Sequence, residues 1–436
     1  MADLTSNFAG IKSPNPFWVA SGPPANTAHQ AHRAFAAGWG GIVWKTIGDA
    51  IINTSSRYSA INLGNVRMAG FNNIELISDR SPETNFREIA EVKKRWPDRA
   101  VVVSLMVDTR ERWHEFLKRS ADAGADGVEL NFGCPHGMCE RGMGSAVGQQ
   151  PAVTEKIVGW AMEAATIPVV VKLTPNITDI TYPARAARAA GANAISLINT
   201  ISSITQVNLD TFVPEPYVGG LSTHGGYCGP AVKPIALNMV QTCAADPLVG
   251  LPISGIGGIA NWRDAAEFLA LGATNVQVCT AIMHHGFRIV EDMIEGLNDY
   301  LDAKGFVNLA PLIGRAVPKL QNWETLDLNY KRVARIDYEK CIGCNLCHIA
   351  CEDGAHQCID LVAPNGYGLG PGRVPGKPIP KVREEDCVGC NLCFNVCPVD
   401  NCITMVDIDT GAPKMSWTDY QDQLARGEIQ PIPPHP

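Results

Sequence analysis

The sequence is short of charge. Only 18% of its 436 residues are charged, against 46% hydrophobic. That excludes a wholesale disordered chain and leaves ample material for a packed core. It also lacks an excess of positive charge. The formal net charge of -8 argues against a general nucleic-acid binder. No apolar run approaches the roughly 18 residues of a membrane helix, so no membrane span is expected. The N-terminus, MADLTSNFAGIKSPNPF, has no basic segment followed by an apolar stretch, so no secretory signal is expected. At roughly 100–200 residues per domain, the length predicts two or three domains. Cysteine, by contrast, is abundant: the chain has 15. Spacing must decide between disulfides, metal ligands and buried thiols.

Eight of the 15 fall in two runs, Cys341-x2-Cys344-x2-Cys347-x3-Cys351 and Cys387-x2-Cys390-x2-Cys393-x3-Cys397, the second followed by Pro398. This is the spacing of ferredoxins that carry two [4Fe–4S] clusters. Three thiolates in series wrap one cubane, and the fourth of each run ligates the other cluster. Cys341, Cys344, Cys347 and Cys397 are therefore assigned to one cluster. Cys387, Cys390, Cys393 and Cys351 are assigned to the other. Structural zinc is disfavoured, because zinc knuckles use paired rather than triple cysteines. Iron–sulfur ligation needs a reducing compartment, which predicts a cytoplasmic protein. Cys351 departs from the pattern in being followed by Glu352 rather than Pro. Cys358 and Cys402 lie near the runs but off register, and read as small buried hydrophobes. Residues 363–380 hold five Gly and five Pro and read as an irregular loop.

The first 305 residues read as a (β/α)8 barrel. Eight short apolar runs, at 17–20, 41–45, 100–105, 127–131, 168–172, 194–198, 251–254 and 275–279, predict buried parallel strands. Helical patterns lie between them, at 28–37, 84–96, 110–123, 152–165, 182–190, 231–245 and 262–271. The repeated Ala-Gly-Ala or Leu-Gly-Ala at 123–125, 190–192 and 271–273 reads as helix ends feeding strands. An open doubly wound sheet is the alternative fold. No Gly-x-Gly-x-x-Gly follows the first strand, so a dinucleotide-binding unit is not supported. The expected organisation is a barrel over 1–305, a connector over 306–335, a small α+β ferredoxin-like domain over 336–410, and a tail over 411–436.

In such barrels the chemistry sits at the C-terminal ends of the strands. The residues there are Ser21, Lys45 and Thr46, Asn131, Lys172, Asn199 and Thr200, Gly257 and Gly258, and Cys279 and Thr280. A strand-end lysine alone is usually a solvated cap; so many polar strand ends together are harder to dismiss. The Gly-Ile-Gly-Gly-Ile at 255–259 and Val-Cys-Thr-Ala at 278–281 predict a phosphate site of backbone N–H groups. FMN is the economical ligand, since clusters that carry single electrons need a partner that converts them to hydride. Lys45 and Lys172 would set positive charge near its N1–C2 carbonyl. The Gly-rich segment 131–145 reads as a lid. Cys134 is its first candidate acid, since a thiol can donate a proton near neutral pH. Cys139 and His136 are rivals.

On the stretches Asn-Ile-Glu-Leu-Ile-Ser (73–78), Cys-Pro-His-Gly (134–137), Glu-Arg-Gly-Met-Gly (140–144), Lys-Leu-Thr-Pro-Asn (172–176) and the two cysteine runs, the chain resembles the dihydropyrimidine dehydrogenase family. The likeness runs from about Ser6 to about Asp409, and is to the flavin half of those enzymes and the smaller subunit of the two-subunit bacterial form. The resemblance implies that uracil or thymine is reduced at its C5=C6 bond. It implies hydride from FMN to C6 and a proton from Cys134 to C5. It implies that Asn73, Glu75, Asn131, Asn199 and Thr200 bind the pyrimidine. It also implies that Ser21, Lys45, Thr46, Lys172, Gly229, Gly257, Gly258, Cys279 and Thr280 bind FMN. Gly133 stands where some members carry Ser. The chain has no visible site for NAD(P)H or FAD, so a separate FAD-containing, NAD(P)H-oxidising subunit is expected, in a hetero-oligomer built on a dimer. Two other readings remain: a dihydroorotate dehydrogenase-like FMN enzyme, and an electron-transfer subunit whose barrel is only a scaffold.

Overall fold

The computed structural model describes residues 1–135, 142–363 and 376–431. They divide into two units, Met1–Leu320 and Gln321–Pro436. Among the described residues no helix is long and apolar enough to cross a membrane.

The first unit is a closed barrel of eight parallel strands. In chain order they are strand one (Phe17–Val19), two (Gly41–Ile47), three (Ala100–Leu105), four (Gly127–Asn131), five (Val169–Lys172), six (Ala194–Leu197), seven (Ile253–Ile256) and eight (Ala273–Val278). Each pairs with its sequence neighbour, and strand eight closes on strand one through Val276–Phe17 and Val278–Val19. The expected strands and helices are present with ends shifted by a residue or two. Helix starts are fixed by side-chain caps: Thr27, Ser81 and Thr109 each accept a backbone N–H of the first turn. Asn261 and Asp264 form a reciprocal capping box. Such caps satisfy donors that would otherwise be orphaned.

Alternation along the strands sorts the side chains into two cores. Ile42, Trp44, Val101, Val103, Val169, Val171 and Ile195 face the helices in one large cluster. Val43, Val102, Val170 and Ala194 face inward, at the bottom of the barrel. The N-terminal hairpin (Ser6–Phe8 with Ile11–Ser13) closes that end. Its Phe8 meets Trp18 edge-on at 5.8 Å, and Trp18 Nε1 donates to Ser13 Oγ at 3.0 Å. The next inward layer is polar: Ser104, Glu129, Ser196, Ser254 and Gln277, all buried. The barrel is therefore sealed and apolar below, and polar where it opens.

Two insertions build a roof that the sequence did not announce. One follows strand two and the other follows strand six. They contribute a four-stranded sheet in the order Ile201–Ser203, Gly225–Cys228, Val66–Asn73 and Tyr58–Leu63. Gly226 pairs with Asn73 and Ser202 with Gly226. Both insertions leave the C-terminal ends of strands, so the sheet lies at the barrel mouth.

Residues 306–320 belong with the barrel: Leu309 and Leu312 enter its core. The second unit begins at Gln321 and contains two repeats. Helix Leu346–Gly354 is followed by strand Ile359–Val362, and helix Leu392–Val396 by strand Ile403–Ile408. Strand Lys331–Ile336 pairs antiparallel with Ile403–Ile408, and Ile359–Val362 with Ile379–Val382. Asn345 and Asn391 precede the two helices with left-handed φ of 59° and 69°, a conformation asparagine tolerates. Most of the stretch read as a Gly/Pro loop, 364–375, lies outside the described residues. In the tail, helix Trp417–Ala425 starts on a Ser416–Asp419 capping box. Its Trp417 packs on Trp323 at 6.0 Å.

Candidate active site and cluster cavities

One cavity occupies the barrel mouth. Among its lining residues are Ser21, Lys45, Thr46, Asn73, Glu75, Asn131, Cys134 and Lys172. Asn199, Thr200, Gly229, Gly257, Gly258, Cys279 and Thr280 line it too. Every described candidate drawn from the barrel sequence thus reaches one space, although they come from many different connections. His136 and Cys139, the rivals of Cys134, lie outside the described residues.

Strand two is irregular between Trp44 and Ile47, where its register against strand three shifts. A bulge breaks the alternation, and consecutive residues Lys45 and Thr46 both reach the cavity. Thr46 Oγ1 lies 2.9 Å from Ser104 Oγ and 3.3 Å from Ser21 Oγ. From there a chain of amides crosses the mouth. Asn131 Nδ2 donates to Thr46 Oγ1 at 3.0 Å, and Asn199 Nδ2 donates to Asn131 Oδ1 at 2.9 Å. The Thr200 N–H donates to Asn199 Oδ1 at 2.8 Å. Both asparagines are oriented by these bonds rather than left to rotate. A Cβ at Gly133 would collide with the Asn199 side chain, so the absent side chain leaves room for this amide.

Glu75 is buried, at 8% exposure. Lys45 Nζ and Arg57 Nη1 donate to its Oε1, the latter at 3.1 Å, and the Tyr58 hydroxyl donates to Oε2. Burial, then the Glu75 carboxylate, pushes the Tyr58 phenol well above its ordinary pKa. Asn73 Oδ1 accepts the Glu75 N–H at 2.6 Å. Arg57 and Tyr58 were not read from the sequence; they sit in the roof insertion, with no strand end to mark them.

Below the mouth, Lys172 Nζ lies 3.6 Å from Glu129 Oε1. Glu129 Oε2 accepts from Ser196 Oγ at 2.8 Å and Gln277 Nε2 at 3.2 Å. Among the described residues, nothing donates a hydrogen bond to its Oε1. Both cavity lysines are thus matched to buried carboxylates.

The opposite wall is backbone. Gly257, Gly258 and Gly229 have φ of 128°, 74° and 90°, values that disfavour a side chain. A Cβ at Gly258 would stand 2.8 Å from Gly229 O and 2.9 Å from Lys233 N. This is a cradle of bare main chain, suited to a phosphate. Beside it Cys228 accepts from Thr280 Oγ1 at 3.2 Å. Burial pushes the thiol of Cys228 up to about 11 and that of Cys279 up to about 12, so both stay protonated. Cys134 is half-buried and packs against Ile77, Met106 and Met143. Its carbonyl accepts the Ser145 N–H at 3.0 Å.

The second unit holds two further cavities. Cys341, Cys344, Cys347 and Cys397 line one; Cys351, Cys387, Cys390 and Cys393 line the other. Each thus draws three cysteines from one run and a fourth from the other. Eight thiols in two sets of four are the donors that two cubane clusters require. Cys402 lines the first cavity and Cys358 the second. Both are buried.

The chain matches the dihydroorotate dehydrogenase family over residues 3–301 and a 4Fe-4S dicluster domain over 334–405. It is 41% identical over 360 residues to the NAD-dependent dihydropyrimidine dehydrogenase subunit PreA of Escherichia coli, covering 82% of this chain and 87% of that one. It is 42% identical over 328 residues to a chloroplastic dihydropyrimidine dehydrogenase (NADP(+)) of Arabidopsis thaliana, covering 72% and 77%. To the catalytic subunit of dihydroorotate dehydrogenase B (NAD(+)) of Pyrococcus abyssi it is 35% identical over 314 residues, covering 72% and 99%.

Proposed function

Since the chain belongs to the dihydropyrimidine dehydrogenase family of oxidoreductases, we propose that it reduces the C5=C6 bond of uracil or thymine to the 5,6-dihydropyrimidine. One observation carries the choice of substrate. Lys45 and Lys172, the lysines lining the mouth cavity, are each matched to a buried carboxylate. A neutral pyrimidine needs no further cation, whereas orotate brings a carboxylate that would.

The amide chain suits such a ring, whose edge alternates N–H donors and C=O acceptors. An asparagine offers both kinds of group. Asn131 and Asn199 hold their amides fixed through Thr46 and Thr200. Asn73 and Glu75 approach from the roof sheet, and the Glu75 carboxylate would accept a ring N–H beside its Lys45, Arg57 and Tyr58 partners. Cys134, on the loop after strand four, would give its proton to C5.

FMN fits the opposite wall: the backbone of Gly229, Gly257 and Gly258 would take its phosphate, with Cys279 and Thr280 beside it. Lys172, and Lys45 beyond it, would face its ring. When bound, FMN would supply hydride and two [4Fe–4S] clusters would supply single electrons. Reducing equivalents would come from a separate FAD-containing, NAD(P)H-oxidising subunit. The naming of the E. coli relative as an NAD-dependent subunit supports that reading.

The test is anaerobic purification with FMN, iron and sulfide quantified, followed by assays with reduced viologen as donor. Uracil should oxidise the viologen and orotate should not; the reverse preference would overturn the assignment. The purified chain should not reduce uracil with NADH. If it does, the partner subunit is unnecessary.

A further inference from the structure

Each cluster cavity contains one thiol more than a cubane can use. A [4Fe–4S] cluster takes four thiolates, yet five cysteines line each space. The extra residues occupy equivalent places in the repeat. Cys358 immediately precedes strand Ile359–Val362, and Cys402 immediately precedes strand Ile403–Ile408. Cys402 Sγ lies 3.6 Å from the Asp337 carbonyl oxygen. Cys358 is in direct contact with a candidate ligand. Its Sγ lies 3.6 Å from Cys351 Sγ, and its backbone N–H donates to that same sulfur at 3.3 Å.

The two crossed ligands are placed differently. Cys397 follows the end of its helix and precedes Pro398. Cys351 lies in the last turn of helix Leu346–Gly354 and is followed by Glu352.

We propose that Cys358 is a reserve ligand for the cluster held by Cys351, Cys387, Cys390 and Cys393. The inference rests on the two-cluster reading above. In the exchange, the Fe–S bond to Cys351 breaks and one to Cys358 forms. Cys358 gives up its thiol proton and Cys351 takes one, so no electron is gained or lost. A shift of 3.6 Å between sulfurs is within reach of a helix end and the short turn that follows it. The site would keep its cluster when Cys351 is lost to oxidation or alkylation; the modified sulfur then keeps its added group, and the Cys358 proton passes to water.

The test compares the full-length protein with its variants, each purified anaerobically and assayed for iron, sulfide and the electron paramagnetic resonance of the reduced clusters. Cys351→Ala should keep the iron and sulfide of the unaltered protein, with an altered signal from one cluster. Cys358→Ala should also keep them. The double variant Cys351→Ala/Cys358→Ala should lose about half of both, the content of one cluster held by four thiolates. Cys351→Val, close in size and with no atom that can ligate iron, gives the same readout if alanine disturbs the helix end. Loss of half the iron in both Cys351 variants would overturn the reserve role. So would its loss in Cys358→Ala, since Cys358 would then be a resident ligand, or its retention in the double variant. Absence of iron from the unaltered protein would instead remove the two-cluster reading itself.

Discussion

The hydroxyl of Tyr58 donates to Oε2 of Glu75, while Arg57 holds Oε1. Two adjacent residues of the roof insertion thus aim the carboxylate proposed to meet the pyrimidine. Hydrogen bonds to charged groups contribute about 1.5–3 kcal/mol. Tyr58→Phe should therefore lower kcat/KM for uracil by roughly 10–100-fold, with FMN content unchanged. Steady-state assays with reduced viologen check this. An unchanged kcat/KM would mean that Lys45 and Arg57 suffice.

Cys134→Ala should keep its flavin and cut turnover by about 100-fold or more, the range of general acid catalysis. Full activity in that variant would return the role to a neighbour on the same loop.

Gly258→Ala should weaken FMN binding. The residue has φ of 74°, and the new Cβ would stand 2.8 Å from Gly229 O. A left-handed alanine costs about 1–2 kcal/mol, so FMN affinity should fall by about tenfold or more. Fluorescence titration of the flavin-free protein measures it. The cluster unit should load iron normally.

The Arg80 guanidinium, hydrogen-bonded to Glu88, holds that carboxyl below the usual carboxylate range. The same carboxylate accepts the Ala28 N–H at 2.7 Å and so ties two helices together. The folded pKa is depressed. The stabilisation is therefore present above the unfolded value of about 4.3 and is lost as pH falls through the folded value. Glu88→Gln should lower Tm near neutral pH, and the gap from the unaltered protein should close on acidification. A gap independent of pH would sink the ion-pair account.

The barrel was legible because each strand is a short apolar run and several helices end in a glycine before the next strand. Its polar strand ends were legible for the same reason: once Val169–Lys172 is a strand, Lys172 must sit at its mouth. The roof was not. Tyr58–Leu63 and Gly225–Cys228 carry no strong alternation, and their pairing joins segments as distant as Asn73 and Gly226. Arg57 and Tyr58 depend on that pairing, so no local signal could mark them. Cys358 and Cys402 were readable as buried, but their cavities appear only when the two runs fold together.

The crossing of the cysteine runs has a consequence for biosynthesis. Cys397 completes a cavity whose other run cysteines lie at 341–347, and Cys351 completes one whose others lie at 387–393. Neither space is closed by its own half of the sequence. A nascent chain halted after residue 386 would expose four thiols of the first run and could finish neither container. On the two-cluster reading, maturation of both centres would be tied to release of the same last stretch of polypeptide, and a scaffold that delivers iron would have to wait for it.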